Sequence, residues 1–557
     1  MTSHAEAAAE QLPVLVVGGG PVGLTMANLL AARGVSVVLV ERNSTTSDEA
    51  KAISLDDESL RTLQAADLAG RVLDIVVPGT GTLYYDRHGR PLVHARGPGA
   101  YRLGFPFKNQ FAQPELEQVL VKALRERPQA DVRFGTELLS LTETADGALA
   151  TLRTAGADDS TRILAGWVLG CDGGRSTIRQ AKGIGMTGTS HGHTWLVVDT
   201  AGDPHDERYG MHYGTPGRPT VVVPGRSGRC RYEFLLHPGE GEAGTKPAFE
   251  TIRRLVAPYR DITEDQVERS TAYTFNAVLA DRWRDGRCFL LGDAAHMMPP
   301  FAGQGLNSGV RDAANLAWKI SEVWHGRAAE RLLDTYEVER RPHATHTVRF
   351  SEQLGEIVMT TSRTRAFVRD MAVRALLRLP GGRRYLSEMR FRPSATHTDG
   401  VIIRTGNDPM VGAQLPQPRV LVAPSLRPEL LDVVLGDGLA LLGIDVDAAA
   451  WQRLTAHRAW QDLPNPIRMV DVALGDRMPR PETGRQAVAD ADGQLEAATG
   501  GMRGRFVLVK PDRYIAAAFL PDQAGSVGGH LAALMARAEP VPRAAGSSRT
   551  AVPADKA

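Results

Sequence analysis

Six residues near the N-terminus, Gly18-Gly19-Gly20-Pro21-Val22-Gly23, leave this chain few folds to choose from. They follow an apolar run at 13–18 that reads as a buried parallel strand. They open a stretch at 21–33 that reads as a helix, and 35–40 reads as a second strand. Strand, tight glycine turn, helix and strand make the unit of a doubly wound α/β domain. Gly18 permits the tight turn, Gly20 lets the backbone approach a pyrophosphate, and Gly23 lets helix and strand pack closely. The helix start offers amide groups and a positive dipole end to phosphates. Glu41 ends the second strand, placed for the two hydroxyls of a ribose. The expectation is a bound dinucleotide. Gly183-Ile184-Gly185-Met186-Thr187-Gly188 spells the same pattern. It follows a helical stretch and leads into none, so it reads as a loop, and no second nucleotide fold is expected.

The texture of the chain divides its 557 residues. Residues 1–185 read as the first part of the nucleotide domain, with a helix over 114–126 opened by Pro114. Residues 186–280 carry short β-rich runs between Gly/Pro turns, an inserted and largely antiparallel sheet. Residues 281–394 return to the first domain and long helices. Residues 395–537 have strands of their own, with a polar loop expected over 477–504, and 538–557 read as a disordered tail. Basic and acidic residues balance at 65 and 64, which gives no reason to expect nucleic acid or a membrane as partner. The three cysteines, Cys171, Cys230 and Cys288, lie far apart without a CxxC, which fits a cytoplasmic protein and no zinc site. The N-terminus lacks the pattern of a signal peptide. No apolar run reaches about 18 residues, so no transmembrane helix is expected. No metal site is expected: His343 and His346 lie on an Arg-rich helical segment and read as surface residues, and His191 and His193 read as part of a loop.

The second informative stretch lies midway along the chain: Leu291-Gly292-Asp293-Ala294-Ala295-His296, then Pro299, Pro300 and Gly303-Gln304-Gly305-Leu306-Asn307. Asp293, just past a strand, suits a polyol through charge-assisted hydrogen bonds. Gly303 to Asn307 start a long helix whose amides suit a ring that gains negative charge. A polyol and a reducible ring beside a pyrophosphate site describe FAD rather than NAD.

With Glu41-Arg42, Cys171-Asp172-Gly173-Gly174-Arg175-Ser176 and the run from Gly292 to Lys319, this set resembles the single-component FAD-dependent aromatic hydroxylases, most of all the 3-(3-hydroxyphenyl)propionate hydroxylase type and related polyketide hydroxylases. The likeness covers residues 13 to about 345. It implies a Rossmann-like FAD domain, an inserted antiparallel substrate domain and a C-terminal thioredoxin-like domain without redox cysteines, whose role is to cover the active site or help dimerise. Strands are expected there at 411–420 and 506–519. It implies non-covalent FAD held by Gly18, Gly20, Pro21, Val22, Gly23, Glu41, Arg42, Lys51, Gln113, Leu138, Asp172, Gly173, Gly292, Asp293, Pro300, Gly303, Gly305, Leu306 and Asn307. Lys51 stands where an arginine is usual; it keeps the charge and loses the bidentate fork.

The resemblance further implies that NAD(P)H, a transient co-substrate, reduces the flavin and that O2 then forms a C4a-hydroperoxide that hydroxylates a small aromatic substrate. That substrate would be a phenolic acid or a polyketide-type phenol, and the protein a monomer or homodimer. Phenols titrate near 10, so a base or hydrogen bond would help. Candidates are His212, Tyr213, Arg231 and Tyr232 in the inserted sheet, and the carbonyl of Pro299. Baeyer–Villiger or epoxidation chemistry on a quinone, and a non-catalytic flavoprotein, remain the alternatives.

Overall fold

The computed structural model describes residues 11–47, 51–79, 81–97, 101–205, 207–464, 466–475 and 482–536. The readings of residues 1–10 and of the 538–557 tail lie outside the described residues.

The glycine turn sits in a six-stranded sheet ordered Arg284–Asp285, Cys288–Leu290, Trp167–Gly170, Val14–Val17, Val37–Glu41, Ala130–Phe134. Four of its five pairings are parallel, and the edge pair Arg284–Asp285 with Cys288–Leu290 is antiparallel. Val14–Val17 and Trp167–Gly170 are buried at every position, as strands covered on both faces must be. The helix Pro21–Ala32 packs against Gly305–Trp324 and Gln113–Arg125. Burying Leu24, Leu29 and Leu30 there contributes about 1.5–3 kcal/mol each. Proline opens the Gln113–Arg125 helix, as expected.

The second sheet has eight strands: His296–Met297, Val267–Ala280, Met186–Thr200, Cys230–Leu235, Thr220–Pro224, Gly210–Tyr213, Thr82–Tyr85 and Pro91–Ala95. Most pairs are antiparallel, but Gly210–Tyr213 lies parallel to Thr82–Tyr85, so a hairpin from the first hundred residues completes the sheet. Two expectations are corrected here. The 183–188 segment is not all loop, because Met186 begins a fifteen-residue strand. Gly188 is needed within it: at φ +149° a Cβ would lie 2.1 Å from the Ala277 carbonyl. His193 also lies in that strand rather than in a loop, beside a register shift between Ser190 and Thr194.

The C-terminal sheet has seven strands, ordered Arg427–Leu430, Arg419–Val422, Gln486–Asp490, Arg468–Ala473, Ala440–Ile444, Arg505–Val509, Ile515–Phe519. The strand expected at 506–519 is two strands, Arg505–Val509 and Ile515–Phe519, and the one expected at 411–420 begins only at Arg419. Within the expected loop over 477–504, Gln486–Asp490 forms an inner strand and Gln494–Thr499 a helix. Buried Val488 and Leu495 belong to the core, which tertiary packing decided against a polar local composition.

Charged side chains join this unit to the rest. Arg61 pairs with Asp432 at 2.6 Å, Tyr514 donates to Glu58 at 2.7 Å, and Lys319 and Lys510 both reach Glu339 at 2.9 Å. His343 is a further correction. It is 6% exposed, 3.1 Å from Arg340, because the helix Thr335–Val358 turns Arg340, His343, Ala344 and Thr347 inward. No described helix is long and apolar enough to cross a membrane.

Candidate active site

A cavity of about 800 Å³ runs from the glycine turn to the antiparallel sheet. Gly18 has φ +110°, and a Cβ there would lie 2.4 Å from the Cys171 carbonyl oxygen. A Cβ on Gly23 would lie 2.0 Å from the Gly18 oxygen, so both glycines are required by the fold. A Cβ on Gly20 would meet nothing within 4 Å. Gly20 faces the cavity, and only something held in the cavity can require a glycine there. Glu41 braces the turn: its carboxylate accepts from Gly19 N at 2.8 Å and Asn43 N at 2.9 Å.

Gln113 uses its carbonyl oxygen to hold Lys51 N at 3.1 Å and Ala52 N at 2.8 Å, which sets the Lys51 segment along the cavity. Its amide donates to Glu117 at 2.8 Å, and Glu117 also accepts from Ser47 N. Burial pushes the Glu117 carboxyl up to about 7, against the pull of those two hydrogen bonds. Asp172 accepts from Thr177 N at 2.6 Å and Ile178 N at 3.2 Å through one oxygen. Its other oxygen is buried with no partner, and burial raises its pKa. Arg42, Leu138 and Gly173 line the same cavity.

The central stretch reaches the cavity from the opposite side. Gly292 has φ +57°, and its N–H donates to Asp312 at 3.1 Å. Asp312 also meets His296 at 2.7 Å and Arg340 at 2.9 Å, all three side chains being buried. This cluster pins the loop and leaves Asp293 exposed toward the cavity. Protein around Asp293 raises its pKa, while His296 and Lys51 act in the other direction. Pro300, Gly303, Gly305 and Leu306 line the cavity. Asn307 lies behind them. Its oxygen accepts from Asp56 N and the Ser59 hydroxyl, and its amide donates to the Gly303 carbonyl at 2.7 Å. Gly23, Gly292 and Asn307 therefore shape the wall without lining it. Arg311, one turn on, pairs with Asp56 at 2.5 Å and with Glu58.

The far end is built by the sheet, where residues alternate between faces. Register puts His212 beside Tyr84 and Val221, and Val221 beside Glu233. His212, Val221, Val223 and Glu233 line the cavity with Lys108, Met298 and Phe301. The neighbours of opposite parity, Met211, Tyr213, Val222 and Tyr232, face a separate core. Tyr232 donates to Asp203 there at 2.6 Å, and Tyr213 stacks on Tyr85 with centroids 4.2 Å apart. Neither tyrosine lines the cavity. Arg231 shares the face of Glu233 but does not line the cavity, and it pairs with Asp199 at 2.7 Å and donates to the Lys51 carbonyl. Pro299 is buried before the turn that carries Pro300. Of the five candidates His212 alone lines the cavity, and burial holds its imidazole down at about 3, a neutral group. Lys108 and Glu233, which line it too, were missed. The period-two pattern of 230–235 could have paired Glu233 with Arg231, but nothing local places Lys108 opposite them.

The open face at Gly20, the orphaned Asp172 oxygen and the exposed Asp293 fit a long cofactor with a pyrophosphate at one end and a polyol near the other. Comparison with known proteins agrees. Residues 11–351 match the family model described as FAD binding domain, and 412–534 match the HcaD C-terminal domain. The chain is 36% identical over 550 residues to a 3-(3-hydroxy-phenyl)propionate/3-hydroxycinnamic acid hydroxylase of Mycobacterium sp. (strain JLS), covering 95% of this chain and 92% of that one. Its fold is similar to that of the flavin-dependent monooxygenase PieE, solved with FAD and substrate (TM-score 0.79, 22% identity, 96% of this chain and all of that one). It is also similar to aklavinone-11 hydroxylase, solved with FAD and aklavinone (TM-score 0.76, 24% identity, 95% of this chain and all of that one).

Proposed function

Because this chain belongs to the FAD binding domain family and is an FAD-dependent aromatic monooxygenase, we propose that it hydroxylates a small phenol held at the sheet end of the cavity. The single observation that carries this reading is the convergence of two distant motifs and one sheet face on one cavity. FAD held here would carry electrons from NAD(P)H to O2, of which one oxygen atom would enter the ring and the other leave as water.

The chain's own residues divide the remaining work. The glycine turn from Gly18 to Val22, with Lys51 and Arg42, would hold the diphosphate. Glu41 takes the adenosine ribose and Asp293 the ribitol. Amides at the helix start from Gly303 to Leu306 would favour negative charge on a ring held there. Asp172 and Gly173 serve both FAD and the transient NAD(P)H. Gln113 sets the Lys51 segment and Leu138 closes the adenosine end. Phe301, Met298, Val221 and Val223 keep the reacting end apolar and dry. Neutral His212 and buried Glu233 are polar groups on that wall, placed to take a hydrogen bond from a phenol hydroxyl. A cytoplasmic location, supported by three buried free cysteines, and a monomeric or homodimeric state belong to the same proposal.

NAD(P)H oxidation in air, followed across a panel of phenolic acids, naphthoquinols and polycyclic phenols, tests the reading. The expected result is ligand-stimulated oxidation with a product one oxygen heavier and still aromatic. A lactone or epoxide of the same mass, distinguished by NMR, would replace hydroxylation with the alternative oxygen chemistry. A yellow protein that NAD(P)H never reduces, whatever the ligand, would remove the enzyme reading altogether.

A further inference from the structure

Lys108 lies at the start of the short strand Lys108–Gln110 and lines the cavity. Among the described residues its ammonium has one hydrogen-bond partner, the Thr82 hydroxyl at 2.8 Å, and no ion pair. Glu233, across the cavity wall, acts on it only at longer range. Two of its three N–H bonds are thus unspent beside the cavity. A second cation makes the imbalance larger. Arg392 stacks on Phe107 at 4.8 Å, reaches Asp56 only at 3.7 Å and adds to the positive potential at Lys108. His212, which faces Lys108, is neutral, and Tyr84 beside it is a phenol pushed up to about 12. Arg392 is offset by Asp56 and Asp57, which leaves Glu233 as the carboxylate that acts on Lys108.

A cation left without a counterion in an enclosed cavity is costly unless a ligand brings the opposite charge. The strands place Lys108 at the sheet end, on the same side as His212, while the aromatic ring Phe301 and Met298 bound the space toward the Gly303 turn. One end of this wall therefore suits an anion and the other a flat apolar ring.

We propose that Lys108 is the specificity-determining residue of this enzyme: it takes the carboxylate of the substrate through a charge-assisted hydrogen bond, so that the cavity selects phenols with a short acid side chain over neutral polycyclic phenols. The proposal rests on the hydroxylase reading above and narrows its substrate.

The test uses the FAD-loaded enzyme and two probes of equal shape, 3-(3-hydroxyphenyl)propionate and its uncharged propanamide. Binding is measured by the change in flavin absorbance, and turnover by NAD(P)H oxidation and product mass. A charge-assisted hydrogen bond in a desolvated site is expected to give the wild type about a ten- to hundredfold preference for the acid. In Lys108→Gln that preference falls to about threefold or less, while Lys108→Arg, which keeps the charge, restores part of it. Flavin content and Tm of each variant show that the cavity has survived; Lys108→Met is the substitute if Gln fails to fold. Equal loss of both probes, or a wild type that does not prefer the acid, overturns the role of Lys108. Strong turnover of neutral polycyclic phenols with unchanged kinetics in Lys108→Gln also overturns it, yet leaves the hydroxylase reading standing. Absence of turnover with every phenol sinks the reading itself.

Discussion

At the scale of single residues, burial and charge turn into measurable behaviour. Burial and the nearby Arg392 push Lys108 down to about 8. A lysine binds a carboxylate only while protonated, so affinity for an aryl acid is expected to be flat below pH 8. Above it, affinity should weaken by up to about tenfold per pH unit, with the uncharged amide unaffected. Titrations of the two probes between pH 6.5 and 9.5 check this. The glycines separate by what their missing Cβ would meet. Gly18→Ala drives a methyl into the Cys171 carbonyl at a positive φ and is expected to destabilise the fold. Gly20→Ala meets only open cavity, so the apoprotein should keep its stability within about 1 kcal/mol while FAD affinity falls at least about tenfold. Urea unfolding of the apoprotein beside FAD titration separates the two effects. These glycines were legible because each answers a local geometric demand. Lys108 was not, because its importance lies in which groups fail to surround it.

At the scale of elements, the central loop depends on three chain segments meeting. Asp312 on the Gly305–Trp324 helix ties His296 of the loop and Arg340 of the Thr335–Val358 helix. Asp312→Ala leaves a buried guanidinium uncompensated and is expected to cost about 3–5 kcal/mol. It should also weaken FAD binding, since it frees the strand end that presents Asp293. Chemical denaturation and the FAD dissociation constant are the measurements; a loss below about 1 kcal/mol would mean the cluster is not structural. The strand alternation of the inserted sheet was present in the 230–235 pattern, yet Tyr213 and Tyr232 were candidates beside His212 and Arg231. Parity says which residues share a face, but not which face is the cavity. That depends on the hairpin of Thr82–Tyr85 and Pro91–Ala95 arriving from a distant part of the chain. In the same way His343 was read as surface from its Arg-rich neighbours, when Arg340 is itself a buried partner.

At the scale of the whole molecule, the C-terminal sheet is joined to the rest through buried charge. Glu339 accepts from Lys319, Lys510 and Asn315 and also holds Val401 N. Lys319 and Lys510 hold its carboxyl well below the usual range against the effect of burial. A carboxyl depressed on folding contributes stability that is present above its unfolded value near 4.5 and is lost as pH falls through the folded value. Acid should therefore weaken the junction, and Glu339→Gln should reproduce that loss at neutral pH, at about 3 kcal/mol or more. Wild-type unfolding is expected as one transition near pH 7 and as two in the variant, read by calorimetry. Sequence by itself determined the α/β class, the FAD cofactor and the monooxygenase class, because nucleotide turns and a helix start are short-range geometries that glycine, proline and spacing specify directly. Only the tertiary structure decided which sheet face closes the cavity, which charges are left without partners there, and how the C-terminal sheet is locked on. Burial and pairing between residues hundreds of positions apart are properties of the assembled fold and leave no local mark.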